Sequence, residues 1–382
     1  MNIKNIDNDT VLIVGAGFSK GLADIMGYDF PLTNTFLKYA FNILKENKKT
    51  YEELFYFIKL FWELPEIDEN TLEKVNIEDV LSIIDTRSDN EKINISENTF
   101  STNELRNEVL ELIYSTITEY TKKFAENKTE WKNKIVREFD NKFIKNHHNL
   151  AIISFNWDVL IDMILYDISN SDYDISHSDN LPDQQIYNPT YVYGFIPDMI
   201  WSSTDKRSPW QKPRIECPDT TRIKLLKLHG SLNYAICSEC KRIYIFELYD
   251  FPNYRNIFKC PFDDATLNIL LIPPTIEKNT KGYPFSAIWR KAFEALSNTT
   301  NIIIIGFSLR EIDYQAKYLF QHSTVNNFIA DNLHLTIIDP YYEQLKEKFV
   351  NIWKVQDNKI NCFKSLNDYF QHVQKPRHSY VP

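Results

Sequence analysis

Polar residues suited to nucleotide chemistry follow several short apolar runs of the chain. The first run, Val11–Val14, leads into Gly-Ala-Gly-Phe-Ser at positions 15–19. A strand that enters a Gly-x-Gly turn lets the backbone approach a diphosphate, and the N-terminus of the next helix favours its negative charge. The usual dehydrogenase fingerprint would need a third glycine at Lys20 and an acidic residue that ends a second strand near position 30. We therefore interpret the segment as a dinucleotide loop of a different subtype, with a plain glycine-rich turn as the alternative.

Two further runs end in side chains that can act on a substrate. Ala151–Ile153 is followed by Ser-Phe-Asn-Trp-Asp, which brings Asn156 and Asp158 to the end of the run. An amide and a carboxylate at this spacing can both face a ligand, although both residue types are also common helix N-caps. Ile223–Leu228 is followed by His229 and a glycine. Because an imidazole titrates near neutral pH, this histidine is a candidate general base, with a structural role as the alternative.

Two later runs carry weaker signals for nucleotide binding. Ile302–Ile305 leads into Gly-Phe-Ser at positions 306–308, and Leu333–Ile338 leads into Asp339. A Gly-x-Ser turn can bond to phosphate or ribose, and an aspartate at a strand end commonly accepts hydrogen bonds from ribose hydroxyls. A serine hydrolase built on Ser308 is disfavoured, because the segment lacks the second glycine of a nucleophile elbow.

The elements that must position these side chains are predicted to be strands of one parallel sheet. Short, largely apolar runs rich in β-branched residues are typical of strands that are buried on both faces. A weaker run, Lys359–Phe363, adds a possible sixth strand. Ligands of such open sheets bind outside the carboxyl ends of the strands, which is where the candidate residues lie. We therefore predict an α/β fold with a Rossmann-like parallel sheet of about six strands, in a single domain over residues 1–382.

A large helical insertion is expected between the first two strands. Apolar residues recur at spacings of three and four over Thr35–Leu60, Leu72–Ile84 and Glu104–Phe139, which predicts helices within an insertion spanning residues 35–149. The segment Ser171–Asp219 is rich in Asp, Ser, Pro and Tyr, and it predicts an irregular excursion before the third strand.

A small, degenerate zinc-ribbon-like module is predicted over residues 233–270. Two pairs of potential ligands are separated by a short excursion, as in a zinc ribbon, although the last position holds a carboxylate instead of a thiol. Cys217 is an alternative fourth ligand, and a site that has lost its metal fits the pattern as well. Any zinc bound here is expected to be structural. The candidate ligands are Cys237, Cys240, Cys260 and Asp263.

Composition narrows the class of protein. The formal net charge of −9 disfavours direct binding of nucleic acid by the chain as a whole. The N-terminal residues are polar, no apolar run approaches a membrane span, and an odd number of cysteines, five, suggests a reducing compartment. We therefore expect a cytoplasmic protein without a membrane segment.

The order of these motifs resembles that of sirtuins, from Val11 to about Phe363. Deacylating sirtuins follow the first loop with Ile-Pro-Asp-Phe-Arg and carry Phe-Gly-Glu after the zinc module. The matching stretches here read Gly-Tyr-Asp-Phe-Pro-Leu at 27–32 and Leu-Ile-Pro-Pro-Thr-Ile-Glu-Lys at 271–278. The segments at 30–32, 229–233 and 272–275 instead resemble the bacterial sirtuin-like NADases of antiphage defence.

The resemblance implies an NAD+ glycohydrolase that releases nicotinamide and ADP-ribose and acts as a toxic effector in abortive infection. It implies Asn156 and His229 as the catalytic pair, and a homo-oligomer that joins a separate sensor or ATPase, with a HerA-like DNA-translocating ring favoured. The alternatives are an NAD-dependent protein deacylase and a non-catalytic NAD or ADP-ribose scaffold; the latter would need neither Asn156 nor His229. The residues expected to bind NAD+ are Gly15, Ala16, Gly17, Phe18, Ser19, Asn156, Asp158, Gly306, Phe307, Ser308 and Asp339.

Overall fold

The computed structural model describes most of the chain, in eleven segments. These are residues 10–46, 51–86, 91–147, 149–170, 192–201, 210–213, 222–246, 259–272, 282–311, 313–323 and 332–372. Cys217, most of the predicted irregular excursion and the stretch 273–278 lie outside the described residues.

Thirteen strands are formed by the described residues. They are Thr10–Val14 (β1), Lys92–Ile95 (β2), Asn98–Ser101 (β3), Leu150–Ser154 (β4), Met199–Trp201 (β5), Trp210–Gln211 (β6), Ile223–Lys227 (β7), Gly230–Cys237 (β8), Ile243–Phe246 (β9), Leu267–Leu271 (β10), Asn301–Ile305 (β11), His334–Ile338 (β12) and Ile360–Phe363 (β13).

The same part of the chain forms α-helices of three to 25 residues. They are Ala16–Met26 (α1), Phe36–Glu46 (α2), Glu52–Phe61 (α3), Glu69–Leu72 (α4), Ile77–Asp85 (α5), Thr102–Glu126 (α6), Lys128–Trp131 (α7), Arg137–Phe139 (α8), Leu160–Ser169 (α9), Phe285–Asn298 (α10), Tyr314–Ser323 (α11), Tyr342–Trp353 (α12) and Leu366–Gln371 (α13). Two π-helical segments, Lys132–Val136 and Asp140–Ile144, alternate with α7 and α8.

A six-stranded parallel sheet with the order β13-β12-β11-β1-β4-β7 forms the centre of the fold. The chain runs outward from β1 through β4 to β7, returns to the other side of β1, and runs outward again through β11, β12 and β13. This is the strand order of the Rossmann fold, with its switch point between β1 and β11. The predicted fold class is confirmed, and each of the six apolar runs forms a strand.

The register of the sheet brings the ends of its strands to one edge. Val14, the last residue of β1, pairs with Ser154 on one side and with Ile305 on the other. Ser154 pairs in turn with Lys227, and Ile305 pairs with Ile338. Because all these strands are parallel and end level with one another, the residues that follow them lie along a single edge.

The segment between β1 and β4 contains helices α1 to α8 and also a β-hairpin that the helical pattern of the sequence did not predict. β2 and β3 pair through a two-residue turn at Ser96 and Glu97, and Ser96 has a left-handed φ of 55°. Ile93 and Phe100 point to the same side of the hairpin and are buried. Phe100 packs against Phe57 of α3, with ring centroids 5.5 Å apart, so the hairpin is stabilised by contact with the helices.

A second sheet has the order β10-β8-β9-β5-β6 and contains the cysteine segment. The sequence predicts a small module at residues 233–270, but the described part of that range belongs to this larger sheet. The difference arises because Met199–Trp201 and Trp210–Gln211, from the predicted irregular excursion, add two strands. Among the residues that the structure describes, no helix combines the length and apolar character that crossing a membrane requires.

A half-buried carboxylate at the contact between α3 and α6 makes stability depend on pH. Glu108 Oε2 accepts a hydrogen bond from the Leu54 N–H at 2.8 Å. Burial raises the pKa of Glu108 to about 7, in spite of this bond, and nearby carboxylates such as Glu53 add to the rise. The folded protein therefore binds this proton more tightly than the unfolded chain does, and it loses stability as pH rises from about 4.5 towards 7.

We expect Glu108→Gln to remove this pH-dependent cost while keeping an acceptor for Leu54. At pH 8 the variant should be more stable than the wild type by about 1 kcal/mol, allowing for solvent screening at a half-exposed site. The gain in melting temperature should shrink towards zero at pH 4.5, as measured by thermal unfolding across this range. Glu119→Gln, at an exposed position on the same helix, is the control. A gain that is independent of pH would contradict the prediction.

Candidate active site

The glycine turn after β1 packs directly on the loop after β11. The Gly15 N–H donates to Ile305 O at 3.1 Å, and the Gly17 N–H donates to Gly306 O at 3.0 Å. A Cβ on Gly17 would lie 2.6 Å from Gly306 Cα, and a Cβ on Gly306 would lie 2.2 Å from the Gly17 carbonyl carbon. Gly306 also has a φ of 58°, a conformation that glycine adopts without strain. Only glycines permit this contact at the switch point of the sheet, where ligands of such folds bind.

Helix α1 begins at Ala16, directly after the contact. Its N-cap is Gly15, so no side chain caps the first turn of the helix. The N-terminus of a helix carries a partial positive charge, which favours an anion. Gly15, Ala16 and Gly17 all line the adjoining cavity. This end of α1 is therefore suited to a phosphate or diphosphate.

Asn156, in the loop after β4, is bonded to the glycine turn. Its Nδ2 donates to Gly15 O at 2.9 Å and to Ser19 Oγ at 3.0 Å. A carbonyl oxygen only accepts hydrogen bonds, so the atom beside Gly15 O must be the amide nitrogen, which fixes the orientation of the side chain. Both amide hydrogens are thus used. Oδ1 is the atom of Asn156 that can accept a hydrogen bond from a ligand in the cavity.

Ser19 and Asp158 hold Asn156 in place from the side of the core. Ser19 Oγ accepts from Asn156 and donates to Asp158 Oδ2 at 2.7 Å. Asp158 Oδ1 accepts from the N–H of Leu160, the first residue of α9, at 3.0 Å. Burial raises the pKa of Asp158, and the nearby Lys227 ammonium opposes the rise.

Phe18 and Ser19 are predicted from the sequence to bind the dinucleotide, but neither is among the residues that line the cavity. Both are fully buried. The reason is that α1 starts at Ala16, so its next two side chains turn towards the sheet and the helical insertion. Phe18 packs edge-to-face on Phe139, with ring centroids 6.2 Å apart, and Ser19 orients Asn156. Their side chains therefore lie on the core side of the site and not in the cavity.

His229 follows β7, the neighbour of β4 in the sheet, and lines the same cavity although it is only 4% exposed. Its ring packs edge-to-face on Phe155, the residue before Asn156, at 5.3 Å. Phe155 in turn stacks on Phe307 at 4.2 Å. The loops after β4, β7 and β11 are thus joined by contacts between rings, and these contacts fix the histidine beside the asparagine loop.

One cavity of about 1380 Å³ connects these elements. Ligand pockets commonly measure about 300–1,000 Å³, so this cavity is large enough for a dinucleotide. Asp339, which follows β12, lies at the far end of the cavity. It accepts a hydrogen bond from the Tyr341 N–H at 2.8 Å, and burial raises its pKa. The predicted site residues that line the cavity are Gly15, Ala16, Gly17, Asn156, Asp158, His229, Gly306, Phe307, Ser308 and Asp339.

An ion pair that involves the helical insertion also lines the cavity, and no sequence pattern predicted it. Glu78, on α5, contacts Arg310, which follows the Gly-x-Ser loop. Leu309 adopts a left-handed φ of 47°, so the loop turns sharply just before the arginine. Arg310 follows Ser308 by two residues, and this closeness to the predicted Gly-x-Ser turn indicated that it could lie at the ligand edge of the sheet. No local pattern marked Glu78, because its partner lies far away in the sequence.

The four predicted metal ligands come together at the turn after β8. They are Cys237, Cys240, Cys260 and Asp263, and their ligand atoms all lie within 4.8 Å of one another. Cys240 Sγ is 3.6 Å from Cys260 Sγ, and Cys237 Sγ is 3.4 Å from Asp263 Oδ1. A tetrahedral zinc ion with its usual bond lengths would separate two sulfurs by about 3.8 Å and a sulfur from an oxygen by about 3.5 Å. The observed distances fit zinc and exclude a disulfide, whose bond length is about 2.05 Å.

Zinc held by these residues would be structural. Four protein ligands fill a tetrahedral site and leave no position open for a substrate. None of the four, all of which are described, lines the large cavity. The ion would tie the end of β8 to the turn before β10, at the edge of the second sheet.

We expect Asp263→Asn to lower zinc content and melting temperature, because an amide is a poor substitute for a carboxylate ligand. Metal analysis should find one zinc ion per wild-type chain, and a chelator should lower the melting temperature of the wild type. Asp264→Asn is a matched control, since Asp264 is exposed and its left-handed φ of 59° suits asparagine. Equal zinc content in the two variants, or a metal-free wild type from zinc-replete growth, would contradict the assignment.

We expect Gly17→Ala to destabilise the protein by about 1–3 kcal/mol, because the new methyl group must push the Gly306 loop away. Gly21→Ala is the control on the same helix: its Cβ would meet Leu366 at an ordinary 3.4 Å, and alanine favours a helix by about 1 kcal/mol. Unfolding in urea measures both changes. Equal stability of the two variants would show that the glycine contact is not tight.

No protein-family model matches this chain, and no curated protein matches it. Solved structures to which it is similar include a Sir2 homologue in complex with NAD, with 12% identity, a TM-score of 0.39, and coverage of 93% of this chain and 94% of the other. A mutant Sir2 homologue in complex with ADP-ribose has 12% identity, a TM-score of 0.36, and coverage of 89% and 85%. Sir2Tm bound to a propionylated peptide has 13% identity, a TM-score of 0.31, and coverage of 94% and 88%. Likeness at this level concerns the fold at most and assigns no activity.

Proposed function

We propose that this chain hydrolyses NAD+ to nicotinamide and ADP-ribose. The observation that carries the proposal is the bond of 2.9 Å from Asn156 Nδ2 to the carbonyl of Gly15. It fixes the asparagine side chain relative to the turn that would hold the diphosphate. His229, from the neighbouring strand, lines the same cavity, so an amide oxygen and an imidazole are both available beside one nucleoside half.

The layout of the sheet supports an orientation for the dinucleotide. Adjacent strands are about 4.8 Å apart, so β7 and β12 each lie about 10 Å from β1, on opposite sides. A diphosphate on the turn at Gly15–Gly17 would have the β4 and β7 loops on one side and Asp339 on the other. We therefore place the nicotinamide ribose near Asn156 and His229, and the adenosine ribose near Asp339.

In the proposed reaction, the bond between the nicotinamide nitrogen and the ribose anomeric carbon breaks. Nicotinamide keeps the electron pair of that bond and leaves as a neutral molecule, while positive charge develops on the ribose, as in other glycosidic cleavages. Asn156 Oδ1 accepts a hydrogen bond from the attacking water. His229 takes a proton from this water as its oxygen bonds to the anomeric carbon, and later releases the proton to solvent. NAD+ and water thus give nicotinamide, ADP-ribose and a proton.

We also propose that this activity serves antiphage defence, in a homo-oligomer that is controlled by a separate sensor or ATPase, with a HerA-like ring favoured. The support is the resemblance of the motifs, together with the fact that unrestrained consumption of NAD+ would kill the cell. Light scattering of the purified chain tests the assembly. A monomer with full constitutive activity would contradict it.

We expect His229→Ala and Asn156→Ala to lower the rate of nicotinamide release by about 10²–10⁴-fold, the usual contribution of a positioned acid–base group. Purified variants with wild-type circular dichroism are incubated with NAD+, and nicotinamide is measured over time. His322→Ala is the control, since His322 is exposed on α11 and does not line the cavity. It should retain the wild-type rate.

Three outcomes would contradict this proposal. If either cavity variant consumed NAD+ at the parental rate, the assignment of Asn156 and His229 would be wrong. If nicotinamide release required an acetyl-lysine peptide and yielded the deacetylated peptide, the chain would be a protein deacylase. A protein that binds ADP-ribose but releases no nicotinamide under any condition would be a binding scaffold.

A further inference from the structure

Lys227, the last residue of β7, carries a fully buried ammonium group inside the core. Its Nζ lies 2.9 Å from Oδ2 of Asp162, whose side chain is also fully buried, and it donates a second hydrogen bond to the main-chain carbonyl of Asp158. Taking two charges out of water costs several kcal/mol per ion, and apolar residues of similar volume often replace such a pair without loss of stability. Stability alone therefore does not explain this pair.

The pair is held in one arrangement by further hydrogen bonds. Asp162 Oδ1 accepts from the Tyr193 hydroxyl at 2.7 Å. The same hydroxyl accepts from Asn233 Nδ2 at 3.0 Å. Both oxygens of the carboxylate thus have partners, and Asp162 has little freedom to move. The ammonium group of Lys227 is fixed in turn.

This fixed ammonium group lies between the two loops of the proposed catalytic pair. Lys227 precedes His229 by two residues, and Asp158 follows Asn156 by two residues. The bond from Lys227 Nζ to Asp158 O therefore joins the strand that carries the histidine to the loop that carries the asparagine. Asp158 also accepts from Ser19, which bonds to Asn156, so a displacement of Asp158 would be passed on to the amide.

We infer that Lys227 is a positioning residue that holds the Asn156 loop in register with His229 through its bond to the Asp158 carbonyl. The inference rests on the proposed hydrolysis of NAD+ and deepens it. Lys227 does not line the cavity and would not touch the substrate. In the described part of the chain Lys227 bonds to Asp158 and Asp162, and not to the groups proposed to bind the diphosphate and the adenosine ribose, at Gly15–Gly17 and Asp339. A change at Lys227 should thus act on kcat and leave substrate binding largely intact.

The experiment separates this role from a contribution to stability alone. Lys227→Met leaves the buried Asp162 carboxylate without its charged partner and should lower the melting temperature strongly. Adding Asp162→Asn removes the stranded charge and keeps an acceptor for Tyr193, so the double variant should recover much of the melting temperature. Its kcat should nevertheless stay about 10²-fold below that of the wild type, the effect expected of a displacement near 1 Å. KM for NAD+ and the affinity for ADP-ribose, measured by calorimetry, should change little.

Asp162→Asn alone keeps the bond from Lys227 to the Asp158 carbonyl, so it should retain most of the wild-type kcat. Lys224→Met, on the same strand, is the control and should retain both kcat and binding. All assays are run well below the lowest melting temperature of the set. Since this single variant and the double variant differ at Lys227 alone, their comparison measures the effect of the lysine on kcat.

Three results would overturn parts of this assignment, and each points to a different error. An active wild type with a fully active double variant would overturn the positioning role alone. A fall in kcat matched by an equal fall in the number of ADP-ribose sites would show misfolded protein and a purely structural lysine. A wild type that releases no nicotinamide would overturn the proposed hydrolysis, and the positioning role with it.

Discussion

The contact between Gly17 and Gly306 is the constraint on which the site depends. It lets the ends of β1 and β11 touch at the point where the order of the sheet reverses, with main-chain atoms closer than any side chain would allow. The strands are rich in buried β-branched residues, so their ends are held by a rigid core. Since all strand ends are level, the loops on both sides of the glycine contact border a single cavity. The same contact leaves the N-terminus of α1 at the middle of that cavity.

A second feature is the chain of buried polar groups that begins at this turn. It runs from the Gly15 carbonyl through Asn156, Ser19 and Asp158, and then through the Asp158 main chain to Lys227. Such groups are costly to bury and stabilise a fold little compared with apolar packing. Their arrangement makes sense if orientation is what they provide, because each bond removes one way in which the amide could rotate. The aromatic stack at Phe155 does the same for the histidine side of the site.

The six strands of the sheet and most of the predicted site residues lie where the sequence placed them, because their signals are local. A short β-branched run indicates a buried strand, and parallel topology then places whatever follows it at the ligand edge. The inward rotation of Ser19 was not predictable in this way, since it depends on the residue at which α1 starts. Lys227 stands at the end of an apolar run, and only its partners from distant segments reveal it as buried and paired. Glu78 could not be predicted for the same reason, since its partner Arg310 lies in a distant segment. The second sheet could not be predicted either, because two of its strands come from a segment whose composition indicated irregular structure.

The central claim is that Asn156 and His229 act together on the water that attacks one anomeric carbon of a bound dinucleotide. A crystal structure of the inactive His229→Ala variant soaked with NAD+ tests it most directly. The diphosphate should lie on Gly15–Gly17, and the anomeric carbon of the nicotinamide ribose should face Asn156 Oδ1 with room for one water molecule between them, beside the space left by the imidazole. The adenosine ribose should approach Asp339. Density for NAD+ in the reverse orientation, or bound outside this cavity, would contradict the account.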